Sequence, residues 1–367
     1  MRFVIFISIV QSILLLSHWF LYRTLVTFLG GVLSGRLLAL KIGLGLLSVS
    51  LVLTSFLAFR YSGLWVRCLY TAAASWLGIL YLLVLASLIC WIVLGFSKLL
   101  HFPIDRRLLI EVLIGIGLAV SLYGFVNSGE TRVTRMSIQL RDLPPSWKGK
   151  KAVWVSDTHL GQVRSYGFAR RIAGLIQGLH PDIVFIGGDL FDGQAMDLDT
   201  AIEPFSKVSA PYGAYFVTGN HEEFTDNTPY LLAVRRAGIR VLYNEKIEID
   251  GMQILGVDYR DSRRREQFKA LLEGMGIDRH KPSILLKHAP FDVNVARDEG
   301  ITLQLSGHTH RGQVLFFRFI TAKVYRGYDY GLKRLDDLLI YTSSGAGTWG
   351  PPMRIDTKPE IVVFTFE

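Results

Sequence analysis

The stretch KAVWVSDTH, residues 151–159, points to the fold of this chain. Its first six residues form a mostly apolar run, which is typical of a strand buried inside a sheet. The run leads directly to Asp157 and His159, and a loop can turn both side chains toward one ion. In open α/β sheets, ligands bind beyond the carboxyl ends of the strands. Taken alone, however, an Asp-x-His pair is more often an ordinary surface turn than a metal site.

Four more blocks along the chain have the same plan, in which an apolar run leads to potential metal ligands. In order they are Gly187-Gly188-Asp189, Gly219-Asn220-His221, Lys287-His288 and Gly307-His308-Thr309-His310. Each block also has an ordinary interpretation, such as a Gly-Asp turn or a loop histidine. The last block is the most specific, because two histidines flank a single residue after a strand and a glycine. All five blocks in one order would rarely occur by chance, so together they indicate a site for two divalent ions.

The residue types suit such a site. The carboxylate of Asp189 can offer one oxygen to each of two cations, and the two preceding glycines allow a tight backbone turn. The carbonyl oxygen of Asn220 suits a hard divalent ion. His221 is a candidate for a general acid or for a donor to phosphoryl oxygens.

Strands and helices alternate through the C-terminal two-thirds of the chain. This alternation predicts a layered α/β domain, and the β-rich end of the chain predicts a second sheet. The expected strands are residues 131–140, 151–156, 183–187, 214–218, 253–257, 284–287, 301–305, 338–343 and 361–366. The expected helices are residues 165–178, 198–207, 229–237, 265–274 and 291–299.

Apolar runs dominate residues 1–128. About 20 apolar residues are needed to cross a hydrocarbon core, and four runs approach or exceed that length, namely 3–22, 42–59, 69–96 and 108–126. We therefore predict a transmembrane region of about four helices at 1–128. Residues 24–40 are a candidate re-entrant segment. A linker with the first strand is expected at 129–150, and the catalytic domain at 151–367.

The net charge of +9 does not indicate nucleic-acid binding, because of where it lies. Residues 1–128 hold nine basic and two acidic residues, whereas the rest of the chain holds 31 basic and 29 acidic residues. The excess therefore belongs to membrane-flanking loops, where it sets orientation. The domain lacks the basic stripe that a duplex-binding nuclease needs. The two cysteines, Cys68 and Cys90, lie in or beside an apolar run and predict no disulfide framework.

Basic residues follow the first and third apolar runs more often than the second. The positive-inside bias then places those loops in the cytoplasm and the C-terminal domain outside it. Arg132, Arg135 and Arg141 argue for the opposite orientation. We expect an integral protein of a bacterial inner or plasma membrane with an extracytoplasmic catalytic domain.

Together the five blocks resemble those of the calcineurin-like metallophosphoesterase superfamily, over roughly residues 150–367. With the hydrophobic N-terminal segments, the chain looks most similar to the membrane-anchored bacterial phosphoesterases. The closing stretch, residues 343–354 followed by 359–361, carries part of the resemblance. The resemblance implies a two-sheet β-sandwich flanked by helices, with the site at the sheet edges.

The resemblance also implies a ligand set, and no position of it is missing here. One metal would be held by Asp157, His159 and His310, and the other by Asn220, His288 and His308. Asp189 would bridge the two ions, a bridging hydroxide would be the nucleophile, and His221 would protonate the leaving group or stabilise the transition state. Four histidines with Asp and Asn suit Mn, Fe, Zn or Co better than Ca.

Two further residues are candidates for substrate binding. Arg311 stands where similar proteins often have glycine after the second histidine, and it would clamp an anionic substrate or narrow the site. Trp349, in a segment rich in glycine and proline, would cover an apolar or sugar portion of the substrate or simply pack within its loop.

The expected function is hydrolysis of phosphodiester or pyrophosphate bonds at the bilayer surface by a membrane-anchored enzyme with two metal ions. The substrate would be a phosphoester, lipid-linked or a nucleotide, and the bilayer is the expected partner. The alternative is a catalytically silent membrane scaffold or partner-binding module on the same fold. A transporter is disfavoured, because the apolar runs lack a paired acid and base. The sequence leaves the oligomeric state open.

Overall fold

The structure is a computed structural model that describes residues 2–33 and 35–367, with side chains from residue 4 onward. The chain divides into two compact units. The first comprises Met1–Asn127 with Gly350–Met353, and the second comprises Ser128–Trp349 with Arg354–Glu367. The predicted linker and first strand, residues 129–150, lie within the second unit.

Among its described residues, the first unit has four helices that are long and apolar enough to cross a membrane. They are α1 (Arg2–Leu29), α2 (Leu37–Arg60), α3 (Leu64–Leu99) and α4 (Arg106–Gly129). Polar side chains inside this unit bond to one another or to the backbone: Trp76 donates to His18 Nε2 at 2.8 Å, and Trp91 donates to Thr24 at 2.9 Å. Such bonds satisfy polar groups where water is excluded.

The expectation of a re-entrant segment at residues 24–40 was wrong. α1 continues to Leu29, a 3₁₀ turn spans Gly30–Leu33, and α2 begins at Leu37. The pair Gly30-Gly31 ends α1, and Gly30 has a positive φ of 45°. The described residues of this segment are therefore the end of one helix, a turn and the start of the next helix.

The second unit contains two six-stranded mixed sheets. The first sheet has the order β1-β12-β2-β3-β4-β5, and the second has the order β10-β11-β9-β8-β7-β6. The strands are β1 (Arg132–Ile138), β2 (Lys151–Val155), β3 (Ile183–Ile186), β4 (Ala214–Phe216), β5 (Arg240–Val241), β6 (Glu245–Ile249), β7 (Met252–Gly256), β8 (Ser283–Leu286), β9 (Leu303–Ser306), β10 (Gly331–Leu335), β11 (Leu338–Thr342) and β12 (Glu360–Phe366).

Seven helices belong to the second unit. They are α5 (Tyr166–Gly178), α6 (Leu198–Ile202), α7 (Thr228–Arg236), α8 (Tyr259–Ser262), α9 (Arg265–Gly274), α10 (Val293–Asp298) and α11 (Phe317–Val324). The predicted helix 198–207 is α6 followed by a 3₁₀ turn, Glu203–Lys207, that has Pro204 in its first positions. Proline lacks the N–H that an α-helix interior requires.

The alternation of side chains along β2 shows how the two sheets pack. Val153 and Val155 face a core shared with α5, α6 and α7, whereas Ala152 and Trp154 face a core formed between the sheets. A third core lies between the second sheet and the helices α9 and α10. Successive side chains of a strand point to opposite faces, so a strand covered on both faces is apolar throughout. The predicted sandwich flanked by helices is confirmed.

This topology brings the five sequence blocks together. β2, β3 and β4 are parallel neighbours in one sheet, and β8 and β9 are parallel neighbours in the other. The blocks directly follow these five strands. Because the carboxyl ends of parallel neighbours meet at one edge, the loops that carry the candidate ligands meet there.

Candidate metal centre

Five of the seven predicted metal ligands have left-handed backbone conformations. Their φ angles are 54° at Asp157, 49° at His159, 49° at Asp189, 69° at His308 and 47° at His310. Such conformations cost on the order of 1–3 kcal/mol per residue when they are strained, and they cluster at functional sites. The strand ends therefore turn sharply, and the turns direct these side chains inward.

The first group of candidate ligands is Asp157, His159 and His310. One ligand atom from each residue lies within 4.8 Å of the others, and all three side chains are buried. Nε2 of His159 is 3.0 Å from Nε2 of His310, and Nε2 of His310 is 3.6 Å from Oδ1 of Asp157. Two imidazole nitrogens facing each other beside a carboxylate are arranged as donors to a cation.

The second group is Asp189, His288 and His308, which also converge within 4.8 Å. The rings of His288 and His308 are 5.0 Å apart, and Nε2 of His288 lies 3.2 Å from Oδ2 of Asp189. Among the described residues, no group donates a hydrogen bond to the buried Asn220 Oδ1 atom, and His288 Nε2 faces the Asp189 carboxylate without a well-aligned hydrogen bond. Buried polar atoms nearly always have a partner. These two atoms therefore fit a bound cation.

Asp189 connects the two groups. Its Oδ2 atom lies 3.8 Å from His159 Nε2 and 3.2 Å from His288 Nε2. Its Oδ1 atom accepts a hydrogen bond of 2.9 Å from the backbone N–H of His221. This bond fixes the carboxylate between histidines of both groups, which is the position that the sequence predicts for a bridging ligand.

The charges of the centre are strongly coupled. Burial alone would raise the pKa of Asp189, but the surrounding His288, His221 and His159 lower it well below its usual range. Burial raises the pKa of Asp157. The nearby carboxylates of Asp189 and Asp157 overcome burial and raise the pKa of His288 to about 9. The same attraction that holds a proton on this imidazole would hold a metal ion.

Burial keeps two further imidazoles of the centre neutral, which is the state that binds metal. It lowers the pKa of His308 to about 3 and that of His310 well below its ordinary value. Nearby histidines act in the same direction at both residues. The donor set of imidazoles, carboxylates and one amide oxygen fits divalent metal ions.

Hydrogen bonds behind the ligands orient the imidazole rings. Nδ1 of His288 donates to the carbonyl oxygen of Gly187 at 2.7 Å, and Nδ1 of His159 lies 3.2 Å from Oδ1 of Asp192. A histidine that is fixed at one nitrogen presents the other to the metal. Asp192 thus supports the ring of His159.

Glu222 fixes the loops themselves. Its buried carboxylate accepts hydrogen bonds of 2.8–3.0 Å from the backbone N–H groups of Asp189, Phe191 and Gly219. Burial, with the nearby Asp189 carboxylate, raises the pKa of Glu222 to about 7. The loops after β3 and β4 are thereby held together at the point where they supply Asp189 and Asn220.

Gly188 shows how closely these loops approach each other. It has a φ of 84°, and a Cβ atom added there would lie 2.8 Å from both the Cα atom of Gly219 and Nδ1 of His288. Any other residue would displace the ring of His288. The two glycines before Asp189 therefore serve close packing as well as the turn.

His221 lies beside the first group. Its Nδ1 atom donates to the carbonyl oxygen of Asp192 at 3.0 Å, and its ring is 4.6 Å from that of His159. It also converges with His159 and Asp189 within 4.8 Å, so its position suits a further ligand as well as the predicted acid. Its role stays a prediction.

The two predicted substrate-binding residues have different surroundings. The ring of Trp349 is 6.2 Å from that of His221, and the side chain is 58% exposed. Trp349 therefore borders the centre. The guanidinium carbon of Arg311 lies 4.2 Å from the centre of the Tyr330 ring, whereas a clamp would hold an anion through the N–H edge of the guanidinium. Neither assignment is tested by these contacts.

Sequence reasoning missed several neighbours of the centre. The ring of Tyr259 lies 5.8 Å from that of His288 and 5.7 Å from that of His308, and Tyr325 lies 6.1 Å from His308. Tyr259 follows the end of β7 much as the candidate ligands follow their strands, and this position is the signal that the sequence offers for it. Tyr325 has no such signal.

Arg354 is the other residue that was missed. Its guanidinium is fully buried and donates to Nδ1 of His310 at 3.1 Å and to the carbonyl oxygens of Ser344 and Gly347. It lies 44 residues from His310 in the chain, so no spacing rule could find it.

Comparison with known proteins supports the same interpretation. The sequence profile described as calcineurin-like phosphoesterase matches residues 150–312. The chain is 33% identical over 261 residues to an uncharacterized metallophosphoesterase of Aquifex aeolicus. This alignment covers 69% of this chain and 98% of that protein. The chain is also 31% identical over 283 residues to an uncharacterized metallophosphoesterase of Helicobacter pylori. That alignment covers 73% of this chain and 75% of that protein.

A eukaryotic protein with membrane segments is also similar. The chain is 33% identical over 277 residues to a transmembrane protein with metallophosphoesterase domain of Danio rerio. The alignment covers 70% of this chain and 62% of that protein, so the chain spans less than two thirds of its relative's length.

With these matches, the strand-end ligands and the two-sheet fold, the chain belongs to the calcineurin-like metallophosphoesterase family. The predicted family is confirmed. The roles of the individual side chains stay predictions, because the geometry shows which residues converge and not which of them bind or react.

Proposed function

We propose that this chain is a membrane-anchored phosphoesterase that hydrolyses phosphodiester or pyrophosphate bonds with two divalent metal ions. The convergence of buried ligands from five strand ends, with Asp189 between the two groups, carries the proposal. Asp157, His159 and His310 would hold one ion. Asn220, His288 and His308 would hold the other, and Asp189 would contact both.

The chemistry of the site follows from this arrangement. Two bound cations lower the pKa of a shared water and neutralise phosphoryl oxygens during in-line displacement. His221 has its Nδ1 hydrogen fixed on the carbonyl of Asp192, so its Nε2 atom is free of that bond and would carry the proton for the leaving oxygen. Asp192 thus positions both His221 and His159.

The substrate class follows from the surroundings of the centre. The exposed ring of Trp349 beside His221 would cover an apolar or sugar portion of a substrate. The four apolar helices would keep the enzyme at a bilayer, where lipid-linked phosphoesters are concentrated. We therefore propose a lipid-linked or nucleotide phosphoester as the substrate.

The location is part of the proposal. Four helices of sufficient length and hydropathy support an integral membrane protein, and the basic loops after the first and third helices support an extracytoplasmic catalytic domain. The similarity to bacterial metallophosphoesterases supports a bacterial inner or plasma membrane.

Hydrolysis of bis(p-nitrophenyl) phosphate by the full-length protein in detergent tests the activity. Mn²⁺, Fe²⁺, Zn²⁺ or Co²⁺ would be added in turn. We expect metal-dependent turnover that Asp189→Asn abolishes together with bound metal. Asp197→Asn is the matched control, because Asp197 is an exposed helix cap eight residues along the same connection.

Two outcomes would contradict the proposal. Turnover that is equal in Asp189→Asn and in the wild-type protein would show that this centre does not do the chemistry. The absence of both turnover and bound metal in the wild-type protein would favour the catalytically silent scaffold.

A further inference from the structure

The helix α11 carries an apolar stripe on its outer side. Within residues 128–367, all of which the structure describes, eleven large hydrophobic side chains are exposed, and five of them lie between residues 316 and 324. Phe316, Phe319, Ile320 and Val324 each expose more than half of their surface. Single exposed apolar residues are normal on a protein surface, but contiguous ones mark interaction sites.

The spacing shows that the stripe is one face of the helix. Phe319 and Ile320 lie five and four residues before Val324, which places these three on one side of the helix, and Phe316 is the residue directly before the helix. No residue of α11 is buried. The opposite side bears polar residues: Arg318 pairs with Asp356 at 2.6 Å, and Thr321 donates to Asp329 at 3.0 Å. The amphipathic pattern is thus inverted, with the apolar face toward the outside.

The charges around the stripe favour a partner with a negatively charged surface. Residues 315–327 contain Arg318, Lys323 and Arg326 and no acidic residue. Lys323 and Arg326 are exposed. Aromatic and aliphatic side chains on one face, with basic residues beside them, are typical of a helix that lies in the interface of an anionic bilayer. The chain segment between α4 and β1 is also short, because α4 ends at Gly129 and β1 begins at Arg132.

Both ends of α11 are joined to the metal centre. At its start, Gly312 has a φ of 76° and lies so close to the backbone of Arg318 that a Cβ atom would clash there. Gly312 is two residues after His310. At its end, the ring of Tyr325 lies 6.1 Å from that of His308 and 4.8 Å from that of Phe291. A partner bound to α11 would therefore be connected to the candidate ligands His308 and His310 through this helix.

We propose that α11 docks its apolar side chains Phe319, Ile320 and Val324, together with the preceding Phe316, into the headgroup region of an anionic bilayer and so holds the metal centre at the membrane surface. This inference rests on the proposed membrane location. It assigns to the catalytic unit a second membrane contact, in addition to the four helices, and it favours lipid phosphoesters as substrates.

Depth-dependent quenching tests the docking. The full-length protein with Cys68→Ser and Cys90→Ala would be labelled with NBD at Ile320→Cys and placed in nanodiscs of phosphatidylcholine and phosphatidylglycerol. A nitroxide high on the acyl chain is the quencher, because interfacial helices insert roughly 5–10 Å. Leu232→Cys on α7 is the negative control, because Leu232 is an exposed apolar residue outside α11. Leu53→Cys is the positive control, because it lies on the candidate membrane helix α2.

We expect the label at Ile320 to lose most of its emission, as the label at Leu53 does, while the label at Leu232 keeps its emission. Quenching at Leu53 with none at Ile320 would overturn the docking and leave the membrane location intact. A lack of quenching at Leu53 would overturn both. The face could instead bind a second copy of the chain. In that case the label at Ile320 would not be quenched, and the unlabelled Ile320→Cys protein would form disulfide dimers in proteoliposomes.

Discussion

His221 is the side chain whose role most needs to be separated from that of its neighbours. It lies against His159, and its Nδ1 atom is held by Asp192. As a general acid it would contribute to turnover and not to the retention of metal. As a ligand beside His159 and Asp189 it would contribute to both.

We expect His221→Ala to keep its bound metal and to lower kcat by roughly 10²–10⁴-fold, the usual contribution of a positioned acid. Metal content and hydrolysis of bis(p-nitrophenyl) phosphate would be measured on the same preparation. Wild-type turnover in the variant would remove His221 from the mechanism, and loss of metal would make it a ligand.

Arg354 supports the centre from outside the ligand set. Its guanidinium donates to His310 and to two backbone carbonyls of the segment 344–347. Without the guanidinium these buried acceptors lose their partners, and each such loss costs about 1–3 kcal/mol.

We expect Arg354→Met to lower the Tm and to weaken metal retention during dialysis against a chelator, whereas Arg354→Lys restores part of both. Retention of metal equal to that of the wild-type protein, despite a lower Tm, would show that Arg354 stabilises the segment without positioning His310.

At the scale of elements, the sequence predicts the strands that carry ligands more reliably than the others. β2, β3, β8 and β9 are short apolar runs buried on both faces, and each was expected within a few residues of its position. β6 and β10 were missed, because EKIEI and GLKRL mix charged residues into short, half-exposed strands. β5 has only two residues, too few for any periodicity.

The helix α11 was missed for a different reason. Its sequence, FRFITAKV, has apolar residues at helical spacing, but they face outward, so the usual rule that such a stripe packs on a core does not hold. The contradiction between pattern and exposure is what makes α11 a candidate for a membrane contact.

We expect Phe319→Glu to lower the rate on a phosphoester embedded in vesicles relative to the rate on soluble bis(p-nitrophenyl) phosphate. A carboxylate at this position would oppose insertion beside anionic headgroups. Phe319→Leu is the control, because it keeps the face apolar. An unchanged ratio of the two rates in Phe319→Glu would argue against delivery of substrate through α11.

For the molecule as a whole, the order of the ligands along the chain could be predicted, and their distances could not. The strand-end blocks specify which residues reach one edge of a sheet. The contact between His159 and His310, 151 residues apart, depends on how the two sheets pack. The positions of Arg354 and Tyr325 beside the centre depend on the same packing, and no short sequence motif predicts them.

Removal of metal should lower the stability of the second unit, which holds the candidate metal centre. Asp157, Asp189 and Glu222 are buried within one centre, and bound cations would compensate their mutual repulsion. A ligand that binds only the folded state stabilises it by mass action. We expect EDTA to lower the Tm of the full-length protein and added Mn²⁺ or Zn²⁺ to restore it. Identical melting curves with and without chelator would contradict a structural role for the ions.

The most direct test of the central claim is a titration of metal into the metal-stripped, full-length protein, with bound ions per chain and hydrolysis of bis(p-nitrophenyl) phosphate followed together. We predict that turnover rises as occupancy approaches about two ions per chain, as a two-metal site requires, and that Asp189→Asn stays at background. Full turnover at about one ion per chain, or none at about two, would contradict a centre in which Asp189 joins two catalytic ions.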